Sequence, residues 1–109
     1  MKVWGVTYHL FENPNTEVHY IQVKKGGYSS RHHHVTKYNK FFVISGRLKI
    51  TIFQGGISET ILNEGESIDI PLSIDHKFEA LENTQAIEVY WGDQIKKEDI
   101  IRKDEGGLL

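Results

Sequence analysis

In several stretches of this chain apolar and polar residues alternate with a period of two. Leu48, Ile50 and Ile52 share one parity and Arg47, Lys49 and Thr51 the other, as expected of a strand with one buried and one wet face. β-rich runs punctuated by glycine, asparagine and proline predict strands over residues 17–23, 40–44, 47–53, 57–62, 66–70, 77–81 and 85–91. Ser45-Gly46, Gln54-Gly55-Gly56 and Asn63-Glu64-Gly65 separate consecutive runs with residues suited to tight turns, which predicts antiparallel hairpins in a meander. Eight or so such strands close into an antiparallel barrel or jelly roll, an all-β fold. Near the end, residues 96–102 predict a short helical turn with Ile100 and Ile101 docked on the barrel, and Gly106-Gly107-Leu108-Leu109 is expected to fray.

The chain has 109 residues, 39% of them apolar, enough for one domain, residues 1–109, with a core that needs no staples. It has no cysteine, so any metal is held by nitrogen and oxygen. Thirteen basic residues against fifteen acidic give a net charge of −2 without a long basic run, which leaves no footprint for nucleic acid or an anionic membrane. The apolar runs are far shorter than the roughly 20 residues of a membrane span, and no signal-peptide pattern opens the chain. The expectation is a cytoplasmic protein with a small-molecule ligand.

The candidate chemistry lies in the histidines. His32, His33 and His34 are consecutive, and in an extended segment His32 and His34 share a face while His33 takes the other. His76 follows Pro71 and opens a strand in which it shares a face with Phe78 and Ala80, so it is the candidate third nitrogen of a metal site. Surface histidines in a loop fit the run equally well on spacing alone. His9 and His19 have no partner at ligand spacing and read as ordinary surface or satisfied residues.

Residues 26–46, GGYSSRHHHVTKYNKFFVISG, resemble the first motif of the cupin superfamily, in which a glycine leads to H-x-H, a glutamate and an apolar strand ending in glycine. Here Gly26, His32, His34 and Gly46 fill those places. Residues 65–80, GESIDIPLSIDHKFEA, resemble the second motif through Gly65, Pro71 and His76. Ser73 and Ala80 stand where the family often has glycine and asparagine, at structural positions. Lys2-Val3-Trp4-Gly5 and Glu98-Asp99-Ile100-Ile101-Arg102 are similar to the opening K-P-W-G and closing E-D-D-I-x-R of cupins related to mannose-6-phosphate isomerase.

The resemblance implies a jelly-roll barrel holding a divalent ion (zinc, manganese, iron, nickel or cobalt) through His32, His34 and His76. It also implies a sugar or sugar phosphate as substrate and a homodimer, for which Trp4, Tyr8, Phe11 and Trp91 are interface candidates unless they belong to the core. The family's glutamate is replaced by Asn39, a weaker ligand that leaves more positive charge on the ion and favours an anion at the open position. The alternatives are a non-catalytic carbohydrate or small-molecule binding module, and a cupin dioxygenase or lyase. No catalytic base is evident. Alternation from Asn39 turns Phe41 and Val43 inward, Tyr20 and Gln22 are expected to face the interior too, and Arg31, Lys37 and Tyr38 read as solvated loop residues.

Overall fold

Ile21 and Val23, Phe41 and Val43, and Leu48 and Ile50 are pairs two residues apart, each almost wholly buried, so each strand presents one apolar stripe that must find a facing surface. The computed structural model, which describes residues 2–92 and 100–109, pairs these stripes between two antiparallel sheets. The first contains β1 (Gly5–Asn13), β2 (Thr16–Val23), β5 (Tyr38–Ser45), β8 (Ser67–Ile70) and β10 (Thr84–Trp91), in the order β1-β2-β10-β5-β8. In the second, β6 (Leu48–Phe53) lies between β7 (Ile57–Leu62) and β9 (Asp75–Ala80). The free edge of β9 takes β3 (Gly27–Tyr28) and β4 (His32–His33), which pair in turn with β12 (Gly107–Leu108) and β11 (Ile101–Arg102).

The core is filled from both inner faces. Ile21, Val23, Phe41, Val43, Ile70 and Ala86 come from the first sheet and Leu48, Ile50, Leu62, Phe78 and Ala80 from the second. Phe78 lies edge-on to Trp4 at 5.0 Å and to Phe41 at 5.8 Å, so Trp4 is a core residue.

The register divides the interior into levels. Ala86 pairs with Ile21 and Val43, Glu88 with His19 and Phe41, and Tyr90 with Glu17 and Asn39. In the second sheet Leu48 pairs with Ala80, Ile50 with Phe78 and Ile52 with His76. One end of the barrel is therefore apolar, and the other carries the side chains that can do chemistry.

Several sequence expectations are corrected here. Only Gln54-Gly55-Gly56 closes a hairpin, joining β6 to β7. At Ser45-Gly46 and Asn63-Glu64-Gly65 the chain crosses from one sheet to the other, because β5 pairs with β10 and β8, and not with β6. Gly46 has φ +92°, and a Cβ there would collide with the Asn83 carbonyl; Thr84 Oγ1 accepts from Arg47 N–H and donates to Arg47 C=O. That corner is built on Thr84, with turn residues that a hairpin would also use. The result is a jelly roll in place of a simple meander.

At the C-terminal end no helical turn occurs among the described residues. Ile101 and Arg102 pair as strand β11 with His33 and His32, and residues 96–99 of that expected turn lie outside the described residues. The terminal glycines do not fray: Gly107 and Leu108 pair with Tyr28 and Gly27, and Leu109 N–H donates to Gly26 C=O at 2.7 Å. Thr51, expected to be wet, is buried because Glu59 and Lys77 flank it from the strands on either side. Among the described residues no helix is long and apolar enough to cross a membrane.

Candidate metal centre

His32 and His34 share the inner side of the β4 segment, and the register sets His32 directly opposite His76 on β9. The three rings converge, with centroids 4.4 Å apart for His32 and His76, 5.1 Å for His32 and His34, and 5.5 Å for His34 and His76. One nitrogen from each lies within 4.8 Å of the others, and all three residues are buried.

The backbone sets the tautomers. His32 Nδ1 lies 2.7 Å from Ser30 C=O and His76 Nδ1 lies 3.0 Å from Ile74 C=O. A carbonyl only accepts, so each Nδ1 carries the proton and each Nε2 keeps its lone pair. Burial, followed by the neighbouring His76 and His34, pushes the His32 imidazole down to about 3, and burial also lowers His76. Neutral imidazole is the ligating form. His76 Nε2 and Asn39 Oδ1 are buried with no hydrogen-bond partner among the described residues, an arrangement costly unless something else engages them. The donor set fits a divalent ion.

His33 points outward as expected. Its Nδ1–H donates to Asp75 Oδ1 at 2.7 Å, and Arg31 Nε–H donates to Asp75 Oδ2 at 2.9 Å. Burial alone would push the Asp75 carboxyl up, but these two hydrogen bonds outweigh it and hold the group below its usual range. Arg31, expected to be solvated, also lies over the Phe53 ring at 3.9 Å.

Asn39 is 1% exposed at the level of Tyr90, whose ring meets His34 edge-on at 5.1 Å. Its Nδ2 donates to Glu88 Oε2 at 3.3 Å and to Val89 C=O at 3.4 Å. Tyr90 O–H donates to the same Glu88 oxygen at 2.8 Å. Burial raises the Glu88 carboxyl, against the hydrogen bond from Tyr90, and burial also carries the Tyr90 phenol well above its ordinary value. Phe41 and Val43 face inward as expected.

Lys37 is not solvated: it is 6% exposed, with Nζ 4.0 Å from the centre of the Tyr90 ring. Tyr38 stacks on Trp91 at 5.6 Å. Tyr20 and Gln22 face outward, where Tyr20 stacks on Tyr8 at 5.7 Å and accepts from Gln22 Nε2 at 3.2 Å. The inward residues of β2 are His19 and Glu17, two and four positions before Ile21, and that parity was available in the sequence. His19 Nε2 lies 3.1 Å from Glu17 Oε2, and its ring stacks on His9 at 5.0 Å and meets Tyr90 edge-on at 5.5 Å. A cavity of about 420 Å³ brings His32 together with His19, Glu88 and Tyr90, and its lining includes the exposed Lys2 and Arg102.

Residues 19–92 match the Cupin domain family, and the chain belongs to it. Among solved structures, an oxalate decarboxylase from Bacillus subtilis is 17% identical with a TM-score of 0.84, covering 94% of this chain and 29% of its own. That enzyme is described with Mn(II) centres. CapF, solved with a tropolone inhibitor, is 24% identical with a TM-score of 0.78, covering 94% of this chain and 32% of its own. KdgF from a Halomonas species is 16% identical with a TM-score of 0.72, covering 81% of this chain and 80% of its own. This chain thus spans about a third or less of the first two, and likeness at these identities establishes the fold. No curated protein matches the sequence.

Proposed function

We propose that the protein is a metal-dependent enzyme acting on a small anionic sugar, with an aldose–ketose interconversion of a hexose phosphate as the reaction. The observation that carries this reading is the cavity, in which His32 of the three-histidine group, His19, Glu88, Tyr90 and the two cationic side chains Lys2 and Arg102 line one ligand-sized space. His32, His34 and His76 would hold the ion, which when bound supplies Lewis-acid stabilisation to adjacent carbonyl and hydroxyl oxygens. His19 is the proton-transfer residue. Donation from its Nε2–H to Glu17 leaves Nδ1 as the basic nitrogen, the base-and-orienter arrangement of general base catalysis. Lys2 and Arg102, in the cavity lining, bind the phosphate. The resemblance of Lys2-Val3-Trp4-Gly5 to mannose-6-phosphate isomerase-like cupins supports the same substrate class. The proposed setting is the cytoplasm.

The test is interconversion of mannose 6-phosphate, fructose 6-phosphate and glucose 6-phosphate with manganese, zinc, cobalt, iron or nickel added in turn. Turnover that disappears in His76→Ala supports the assignment, and no interconversion with any metal overturns it.

A second reading, a non-catalytic carbohydrate-binding module, is favoured by Asn39 in place of the expected carboxylate. It predicts saturable retention of the same phosphates without turnover. Tyr8 and Phe11, both about half exposed on the edge strand β1, support the proposed homodimer, which sizing chromatography tests.

A further inference from the structure

The charge absent from position 39 has a candidate replacement on the neighbouring strand. Glu88 is a buried carboxylate on β10, and one of its oxygens accepts from both the Asn39 amide and the Tyr90 hydroxyl. The Val89 carbonyl accepts from the same amide nitrogen. Both groups engage Nδ2, so the amide is oriented through its nitrogen and Oδ1 is left buried without a hydrogen-bond partner among the described residues.

An amide whose N–H groups donate to an anion and a carbonyl carries more negative charge on its oxygen, and a cation at that oxygen strengthens the N–H donation in return. We infer that Asn39 and Glu88 act as one divided ligand: Asn39 Oδ1 completes the donor set of the three histidines, and Glu88, behind it, supplies the negative charge. Glu88 is thus a positioning and charge-compensating residue that never touches the ion. The inference rests on the metal centre proposed above and deepens it.

The arrangement accounts for an otherwise costly feature of the interior. A carboxylate and an orphaned amide oxygen at the polar end of a barrel have no structural value over an apolar pair of the same size, whereas a cation at Oδ1 answers both. It also separates two properties that a single glutamate would combine, since the contacting oxygen and the charge sit on different strands and can be altered independently.

The experiment is a calorimetric titration of Mn²⁺ into the metal-free full-length protein, Glu88→Gln, His76→Ala and the charge swap Asn39→Glu/Glu88→Gln, with the melting temperature of each metal-free protein recorded alongside. Glu88→Gln keeps an oxygen to accept from Tyr90 and Asn39, so it removes the charge and little else. The expected result is about a 10- to 100-fold loss of Mn²⁺ affinity in Glu88→Gln, the range for partners behind a metal ligand, with a near-unchanged melting temperature. The charge swap is expected to regain at least the original affinity, since the charge removed from position 88 returns at position 39, and a purely structural Glu88 would instead show as a fall in melting temperature with the affinity of Glu88→Gln unchanged.

Equal affinity in Glu88→Gln and the original protein overturns the divided ligand while leaving the centre intact, provided His76→Ala abolishes binding. Failure of the original protein to bind Mn²⁺ overturns both. Should Glu88→Gln not fold, the charge swap decides, and an affinity tenfold below the original counts against the inference.

Discussion

His33 and Asp75 meet on the outer face of the same two strands whose inner faces carry His32 and His76. The hydrogen bond of 2.7 Å between them ties β4 to β9 one position away from the pair of metal-ligating candidates. β4 is only two residues long and has few backbone bonds of its own to hold it in place, so an outward clamp next to the inward ligands sets the spacing of the site. Asp75→Ala is expected to cost about 1.5–3 kcal/mol, the value of hydrogen bonds to a charged group. It should also weaken metal binding by a factor below roughly ten, because the effect reaches the ligands indirectly. Urea denaturation of the metal-free protein and a metal titration measure the two effects separately.

Ser73 and Gly46 share the left-handed backbone region, with φ +59° and +92°, and predict opposite outcomes. An L-residue in that region costs about 1–2 kcal/mol, against about 0.5–1 kcal/mol for the extra chain entropy of glycine. Ser73→Gly should therefore stabilise the protein by about 0.5–1 kcal/mol, and the Ser73 N–H bond to His34 C=O survives it. Gly46→Ala should destabilise by more than about 1–2 kcal/mol, since its Cβ meets the Asn83 carbonyl as well. Thermal or urea unfolding of both variants checks the pair.

Lys49 links three strands through Glu59 at 3.3 Å and Glu79 at 3.5 Å. The hydrogen bond that it donates to Glu59, with the charge of Glu79, raises its ammonium above the ordinary 10.5. A group whose folded-state value is raised contributes stability in full below its unfolded value and loses it as pH rises through the folded one. Lys49→Met should therefore be less stable than the original protein at pH 8, and the difference should close above pH 10.5. A difference that persists unchanged at high pH would show that packing of the lysine stem is responsible.

His19 is expected to matter for turnover and not for the metal. His19→Gln should reduce hexose phosphate interconversion by about 10²- to 10⁴-fold, the range for loss of a general base, with bound metal unchanged by elemental analysis. Loss of the metal instead would place His19 in the ligand set.

The parts of the fold visible in the sequence are the longer β-rich runs bounded by turn residues. β2, β5, β6, β7, β8, β9 and β10 were all legible to within two residues at their ends for that reason, and β6 by its alternation as well. Strand partners were not legible, since Ser45-Gly46 and Gln54-Gly55-Gly56 use the same turn residues for a corner and a hairpin, and only the distant Thr84 distinguishes them. β3, β4, β11 and β12 have two residues each, too few to show a period, and β1 escaped notice because most of it is exposed at a sheet edge. Within the site, the consecutive histidines and His76 stood out by composition. Glu88 and Tyr90 did not, though Ala86 fixes their parity, and the inward face of β2 was counted from Tyr20 where Ile21 and Val23 define it; His19, read as a surface or satisfied residue, is satisfied by Glu17.

The levels inside the barrel have a consequence for how this chain can change. Burial of Ile21, Val43, Ala86, Leu48 and Phe78 supplies cohesion from one end, while the side chains at the other end contribute mainly polar contacts among themselves. Substitutions at the half-buried Glu17 and His19 can therefore be tried with modest risk to folding, those at Asn39, Glu88 and Tyr90 must keep the hydrogen bonds that join them, and equally conservative changes one level deeper would leave cavities. Reactivity and cohesion occupy separate storeys of the same barrel, so a new specificity can be selected in the upper one while the lower one stays as it is.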